Sequence, residues 1–205
     1  MIPEATIRRL SVYLRCLRRG LRRGEELVLS TQLARRCGTS ASLVRKDLSY
    51  FGGFGIKGKG YRVADLIHAI ESILGINKPI ALILVGVGSL GRAILRYLQE
   101  VPYFNILGAF DNDEKKWGRR VGRVEVLPAH FLRRFLEENP VDLGVIAIPP
   151  EGVEEVVDTL ERGGVRGVLS FALAEFEVPR NMVLEFVDIA AELEFLYYKA
   201  NKLKT

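Results

Sequence analysis

The sequence predicts a two-domain α/β protein: a basic, largely helical front half carrying a glycine-rich hairpin, and a back half in which strands and helices alternate. Three observations predict it. Residues 80–85, Ile-Ala-Leu-Ile-Leu-Val, form an unbroken apolar run, which reads as a strand buried on both faces. Gly86, Gly88 and Gly91 follow at the spacing G-x-G-x-x-G, and helical character begins at Arg92. Charge is divided between the halves: residues 1–77 hold 14 Lys and Arg against 6 Asp and Glu, a net +8, whereas residues 78–205 hold 16 against 19, a net −3. A basic front on a slightly acidic back predicts that only the front meets a polyanion.

The totals set limits. With 205 residues, 48% hydrophobic and 27% charged, the chain can bury a core and reads as a soluble globular protein. No apolar run approaches the roughly 20 residues of a membrane span, and Met1 to Arg9 lacks the apolar centre of a signal peptide. Cys16 and Cys37 form no C-x-x-C pair and no ligand cluster, so they are expected to be reduced thiols of a cytoplasmic protein, with no metal site.

In the front half, Pro3 suits a first helical turn, and Ile7, Leu10, Leu14, Leu17 and Leu21 recur at helical spacing until Gly24. The intervening arginines read mostly as a solvated face. Ser30 is the expected N-cap of a short helix, Thr31 to Cys37. Gly38 breaks it, and Thr39 or Ser40 caps the next, which runs to about Tyr50. This is a helix-turn-helix pattern. On its second helix Leu43, Val44, Leu48 and Phe51 supply an apolar side, and Ser42, Arg45, Lys46 and Ser49 share the other. Short polar and long basic groups together suit a helix lying in the DNA major groove, with Ser40, Ser42, Arg45, Lys46 and Ser49 as candidate contacts. The alternative is an ordinary helical hairpin with a basic exterior.

Residues 52–62 hold five glycines, two aromatics and three basic residues, which excludes a helix. They read as a β-hairpin, the wing of a winged helix, whose tip presents Lys57 and Lys59 to a minor groove or a phosphate. A nucleotide phosphate loop is the rival reading, without the strand-then-helix context or the Gly-Lys-Ser/Thr ending it requires. Val63 to Leu74 returns to helix with Leu66, Ile67, Ile70 and Leu74 inward, and residues 75–79 form a linker. The expected domains are therefore 1–77 and 78–188, with 189–205 as a terminal helix.

Each glycine of the back half has its own role. Gly86 allows the tight turn, Gly88 lets backbone approach a pyrophosphate, and Gly91 lets helix and strand pack closely. The helix N-terminus offers amide groups to an anion. A second apolar run, Phe104 to Phe110, ends at Asp111, about twenty residues beyond the third glycine, where an acid binds a ribose 2′-hydroxyl. The competing reading is a glycine-rich turn with no ligand. Val124–Leu127, Leu143–Ile148, Gly167–Ala172 and Val183–Val187 are further expected strands, and Pro128–Asn139 and a segment from Val153 to Leu160 are helices. Together they predict a Rossmann-like, doubly wound parallel sheet, with the strand ends at Ile148-Pro149 and Phe171 along the ligand crevice. The candidate cofactor-binding residues are Gly86, Val87, Gly88, Ser89, Leu90, Gly91, Asp111, Ile148, Pro149 and Phe171. In the last segment Ile189, Leu193, Leu196, Ala200 and Leu203 make one apolar stripe, which must dock on its own sheet or on a partner subunit.

A winged helix and a dinucleotide fingerprint in one short chain, with Val44-Arg45-Lys46-Asp47-Leu48-Ser49-Tyr50-Phe51-Gly52, then Gly55 and Gly58-x-Gly60-Tyr61, resemble the Rex family of redox-sensing transcriptional repressors. The resemblance spans essentially the whole chain. It implies a homodimer that binds palindromic, A·T-rich operator DNA when NADH is scarce and releases it when NADH binds, with NADH and NAD⁺ as cofactors. It also implies a domain-swapped C-terminal helix inserted between the partner's nucleotide and DNA domains. Arg45 and Lys46 then match major-groove positions and Lys57 the wing tip, while Arg15, Tyr97 and Asp188 match polar positions that rearrange the interface between redox states. Just after Asp188, where the family can carry an aromatic near the nicotinamide, this chain has Ile189.

A small NAD-dependent oxidoreductase is the opposing reading. Tyr198-x-x-x-Lys202 has the spacing of a short-chain dehydrogenase pair, but no catalytic serine segment precedes it. His68 and His130 lack an evident acid or base partner, and no residues remain for a substrate domain. The expectation is a regulator. A repressor sensing a different nucleotide is the third reading; Asp111 argues against NADP, whose 2′-phosphate it would repel, although Lys115 and Lys116 partly offset that charge.

Overall fold

The structure is a computed structural model in which residues 2–53, 55–56 and 59–203 are described. The chain forms two compact units, Met1–Lys78 and Pro79–Thr205.

In the first unit α1 (Glu4–Leu21) buries Leu10, Tyr13, Leu14 and Leu17, none more than 1% exposed. Burying each such leucine is worth about 2 kcal/mol. Leu21, expected on this stripe, is exposed, because the helix ends there and turns through Gly24. Then come β1 (Leu27–Val28), α2 (Ser30–Cys37), α3 (Ala41–Ser49), β2 (Gly55–Ile56), β3 (Gly60–Arg62) and α4 (Val63–Leu74). The N-cap of α2 is Leu29 rather than Ser30: the Leu29 amide donates to Gln32 Oε1 at 2.8 Å, and Ser30 lies in the first turn. Gly38 ends α2 in the left-handed conformation, and Ser40 caps α3 by accepting from the Leu43 amide at 3.2 Å. The sheet has the order β1-β3-β2, antiparallel throughout. Its strand β1 carries too few residues for a periodicity to mark it in the sequence. At Gly60 φ is +87°, and a β-carbon would strike the Val28 carbonyl, so glycine is required where β3 crosses β1.

The second unit contains β4 (Ile80–Val85), α5 (Ser89–Gln99), β5 (Phe104–Asp111), β6 (Arg120–Val121), β7 (Val124–Pro128), α6 (Leu132–Glu138), β8 (Leu143–Ile146), α7 (Val153–Arg162), β9 (Gly167–Ser170), β10 (Val183–Phe186) and α8 (Ile189–Lys202). Among the described residues these strands form one sheet ordered β10-β9-β8-β4-β5-β7-β6. All pairings are parallel except β6 with β7, an antiparallel edge absent from the sequence-based expectation. Strand β4 explains its own apolar run. Leu82 and Leu84 face a cluster with Leu95 of α5, whereas Ile83 and Val85 face Leu132, Leu136, Val153 and Val157 of α6 and α7. Both faces are covered, so neither can be polar.

Two strands are shorter than expected, β8 ending at Ile146 and β9 at Ser170, and α6 starts at Leu132 after a 3₁₀ turn over Ala129–Phe131. The residues released, including Ile148 and Phe171, lie with Pro149 in loops at the sheet's carboxyl edge. Helix α8 buries none of its residues, and Leu193, Phe195, Leu196, Tyr197 and Tyr198 are all more than half exposed. Among the described residues no helix is long and apolar enough to cross a membrane.

Candidate functional site

The chain leaves β4 toward β5 on one side and returns to β8 on the other, so connections diverge at β4 and open a crevice beyond its carboxyl end. The glycine turn sits in that crevice. Gly86 has φ +98°, and a β-carbon there would strike the Ala147 carbonyl. A β-carbon on Gly91 would strike the Gly86 carbonyl, so this residue fixes how closely α5 approaches β4. Gly88 differs: a β-carbon would meet no protein atom within 4 Å. Its missing side chain keeps open the space in front of α5, whose N-cap it is and whose first turn has no side-chain cap. An uncapped helix start beside a glycine opening fits a pyrophosphate. Val87 contributes differently from the expectation. Its side chain is 1% exposed and its amide donates to Asp111 Oδ2 at 2.7 Å, so it shapes the turn and has no free amide for a ligand.

Asp111 ends β5 and is 8% exposed. Besides the Val87 amide it accepts from the Asp113 amide at 2.8 Å and from Lys116 Nζ at 3.0 Å to each oxygen. Burial alone would raise its pKa, but the Asp113 amide, Lys116 and the Val87 amide outweigh that and hold the carboxyl below its ordinary range. Lys116, expected to offset the acid's repulsion of a 2′-phosphate, is thus bonded to the acid itself.

Two clefts flank the turn. A cleft of about 680 Å³ is lined by Gly86, Gly88, Asp111, Ile148 and Pro149, together with Lys116, His130, Arg133 and Glu155. A second, of about 490 Å³, gathers Leu90, Ile148, Phe171, Asp188 and Ile189. Ile148 lines both, whereas Val87, Ser89 and Gly91, also expected at the site, line neither; Ser89 is the first residue of α5. The first cleft is rich in polar and charged groups. In the second, apolar side chains surround one carboxylate, and that carboxylate is engaged: Asp188 Oδ1 accepts from the amides of Ala190 and Ala191 at 2.9 and 3.1 Å as the N-cap of α8.

The first unit presents the other candidate surface. Ser42, Arg45, Lys46 and Ser49 are exposed together on α3, opposite Val44, Asp47 and Leu48. Arg45 Nη1 donates to Ser30 Oγ on α2 at 3.0 Å, and Ser49 Oγ donates to the Lys46 carbonyl at 2.7 Å. The Ser40 hydroxyl caps α3 and lies 3.0 Å from that of Ser42. Lys59 is exposed in the β2–β3 turn; Lys57 lies outside the described residues.

Asp47, to which the sequence pattern assigned no role, fixes this helix. It is 1% exposed and accepts from Thr6 Oγ1 at 3.0 Å, Tyr13 Oη at 2.8 Å and Arg9 at 2.6 and 2.7 Å, all on α1. Burial would raise its pKa, but Arg9, Tyr13 and Thr6 outweigh it and hold the carboxyl low. Of the remaining positions, Arg15 is exposed on α1 and Tyr97 is exposed on α5. His130 was expected in a sheet-flanking helix; it sits instead in the 3₁₀ turn after β7, its ring 5.5 Å from Trp117 and 4.6 Å from Phe131. The Tyr198/Lys202 pair lies on exposed α8, the ammonium 4.7 Å from the ring centroid, and lines neither cleft.

A winged helix with a basic outward face, joined to a Rossmann sheet with a dinucleotide-type turn, defines the class: a DNA-binding regulator with a nucleotide-binding unit. Comparison with known proteins agrees. Residues 1–49 match the family described as "Putative DNA-binding protein N-terminus", and residues 77–174 match the "CoA binding domain". The chain is 41% identical over 198 residues to the redox-sensing transcriptional repressor Rex of Desulforamulus reducens, covering 96% of this chain and 94% of that one. It is 42% identical over 200 residues to Rex 1 of Thermotoga maritima, covering 97% and 95%. Among solved structures, RSP, a Rex-family repressor, matches in complex with β-NAD⁺ and operator DNA at a TM-score of 0.87, with 33% identity over 100% of this chain and 94% of that one. RSP with β-NADH matches at 0.85, with 32% identity over 100% and 96%. The chain belongs to the Rex family of redox-sensing transcriptional repressors. The family is one of regulators, and the oxidoreductase reading is set aside.

Proposed function

We propose that this protein is a cytoplasmic homodimer that binds palindromic, A·T-rich operator DNA through α3 and the wing, and that releases it when NADH occupies the crevice. The observation that carries the reading is the presence, in one chain, of an outward basic recognition face and two clefts joined across a dinucleotide turn. The polar cleft with Asp111 suits the adenosine half, and the open space at Gly88 suits the pyrophosphate. The cleft of Leu90, Ile148, Phe171 and Ile189 suits the nicotinamide.

NADH and NAD⁺ share the adenosine and pyrophosphate contacts, so discrimination must arise where one ring is neutral and the other cationic. An apolar cleft penalises the cation. Asp188 keeps its negative charge while it caps α8, so the apolar lining must outweigh that carboxylate's attraction for the cation. A ligand shifts the protein only by its differential affinity for two arrangements, so NADH must favour one that spaces the two recognition helices wrongly for half-sites on one face of DNA. Arg15, Tyr97 and Asp188 are the polar groups proposed to exchange partners between arrangements, and the exposed apolar surface of α8 is the segment proposed to insert into the second subunit.

The test is fluorescence-anisotropy binding to an A·T-rich palindromic duplex at fixed salt, titrated separately with NADH, NAD⁺ and NADPH. Release by NADH at concentrations where NAD⁺ does little is expected. By linkage, operator must weaken NADH binding by the same factor that NADH weakens operator binding. Equal NADH affinity with and without operator would sink the mechanism.

A further inference from the structure

We propose that Cys16 and Cys37 are a dithiol oxidation site, which a hydroperoxide converts into an intrachain disulfide joining α1 to α2. The two sulfurs, 21 residues apart in sequence, lie 2.9 Å from each other, with the Cys37 thiol donating to Cys16 Sγ. Both residues are half-buried, so neither is sealed from a small oxidant. Among the described residues no group of His, Cys, Asp and Glu could hold a metal, which leaves the pair without that use.

The roles of the two sulfurs differ. Burial pushes the Cys37 thiol up to about 12, with its hydrogen bond to Cys16 adding to the effect, so Cys37 keeps its proton and serves as donor. Cys16 accepts that bond and donates its own proton to the Arg36 carbonyl at 3.8 Å; with Cys37 holding its proton more tightly, Cys16 is assigned as the nucleophile once it has lost that proton. Its thiolate attacks one peroxide oxygen, the O–O bond breaks, and the leaving alkoxide or hydroxide takes a proton to become alcohol or water. Cys16 is then a sulfenic acid. Cys37 sulfur attacks Cys16 sulfur, the S–S bond forms, and the departing hydroxide takes the Cys37 proton as water. Two thiols lose two hydrogens and two electrons, and one hydroperoxide is reduced.

The cross-link would complete a triangle. Asp47 ties α3 to α1 and the Arg45–Ser30 bond ties α3 to α2, so the disulfide supplies the third side, next to the Gly38 turn that sets the angle between α2 and α3. Oxidation should therefore lock the helix-turn-helix rather than dismantle it.

The experiment uses the full chain, reduced and then exposed to hydrogen peroxide, with thiol titration, intact mass, non-reducing electrophoresis and thermal melting. Both thiols should disappear together, the mass should fall by two hydrogens, and mobility should remain that of one chain. Dithiothreitol should reverse all three. The first unit should melt several degrees higher when oxidised. C37S should leave Cys16 as a dimedone-trappable sulfenic acid, and C16S should yield little adduct. Persistent thiols, oxygen added without S–S formation, cross-linked chains, or a lower melting temperature would each overturn the proposal. The wild-type mass measurement decides it even if a variant folds poorly.

Discussion

Asp47 and Asp111 are two buried aspartates with one lysine or arginine each, yet they do different work. Every partner of Asp47 is a side chain on α1, 34 to 41 residues away, and neither cleft includes it. Two of Asp111's partners are backbone amides, that of Asp113 in its own turn and that of Val87 in the glycine turn after β4; the third is one lysine side chain, and Asp111 lines the larger cleft. A carboxylate saturated by distant side chains is a structural pin. A carboxylate held in place by backbone, with its outer position filled by one half-exposed lysine, can admit a ligand hydroxyl when that lysine moves. The contrast sets a fold-determining acid apart from the acid proposed to read the ligand by their partners alone, since both are buried.

The comparison breaks hardest at Asp47. Asp47→Ala should cost about 3–5 kcal/mol in the first unit, because it leaves the Arg9 guanidinium and the Tyr13 hydroxyl without their partner in a packed interface. Thermal melting should show that unit unfolding early and operator binding lost, while NADH binding to the second unit persists. A variant that binds operator normally would show that α3 does not depend on the pin.

The sequence contained the pin in a form hard to read. Asp47 falls three residues after Val44 and beside Leu48, on the buried stripe of α3, where a charge looks like a defect in the pattern. Its explanation is another stripe, Thr6, Arg9 and Tyr13, spaced three and four apart on α1, and only the folded chain brings the two together. The glycine turn was legible for the opposite reason. The roles of Gly86 and Gly91 depend on backbone within a few residues or on the adjacent strand, so spacing alone exposes them. The cleft positions of His130 and Arg133 were missed, although the strand-end rule that located Ile148 and Phe171 applies equally after β7. Their neighbourhood is set by which strands lie side by side, which a single sequence states only indirectly.

Asp111 gives the intermediate effect. Asp111→Asn should weaken NADH binding by about 10-fold through loss of one charge-assisted hydrogen bond, with a far smaller stability loss than Asp47→Ala. It should also narrow the preference for NADH over NADPH, because Lys116, no longer paired with a carboxylate, can face the 2′-phosphate. Unchanged affinity for both dinucleotides in isothermal titration would remove Asp111 from the ligand-reading role.

The smallest effect is the response to acid. Both carboxyls are held below their ordinary value of 3.8, so the stability each contributes is fully present above that value and is lost as pH falls through the lower, folded-state value. Melting curves followed downward from pH 5 should therefore show both units losing stability, with D111N removing part of the slope from the second unit only. D47N, where it folds, should do the same in the first. If D111N flattened the acid response of the first unit as well, the two aspartates would be energetically coupled, and the separation between pin and reader would have to be abandoned.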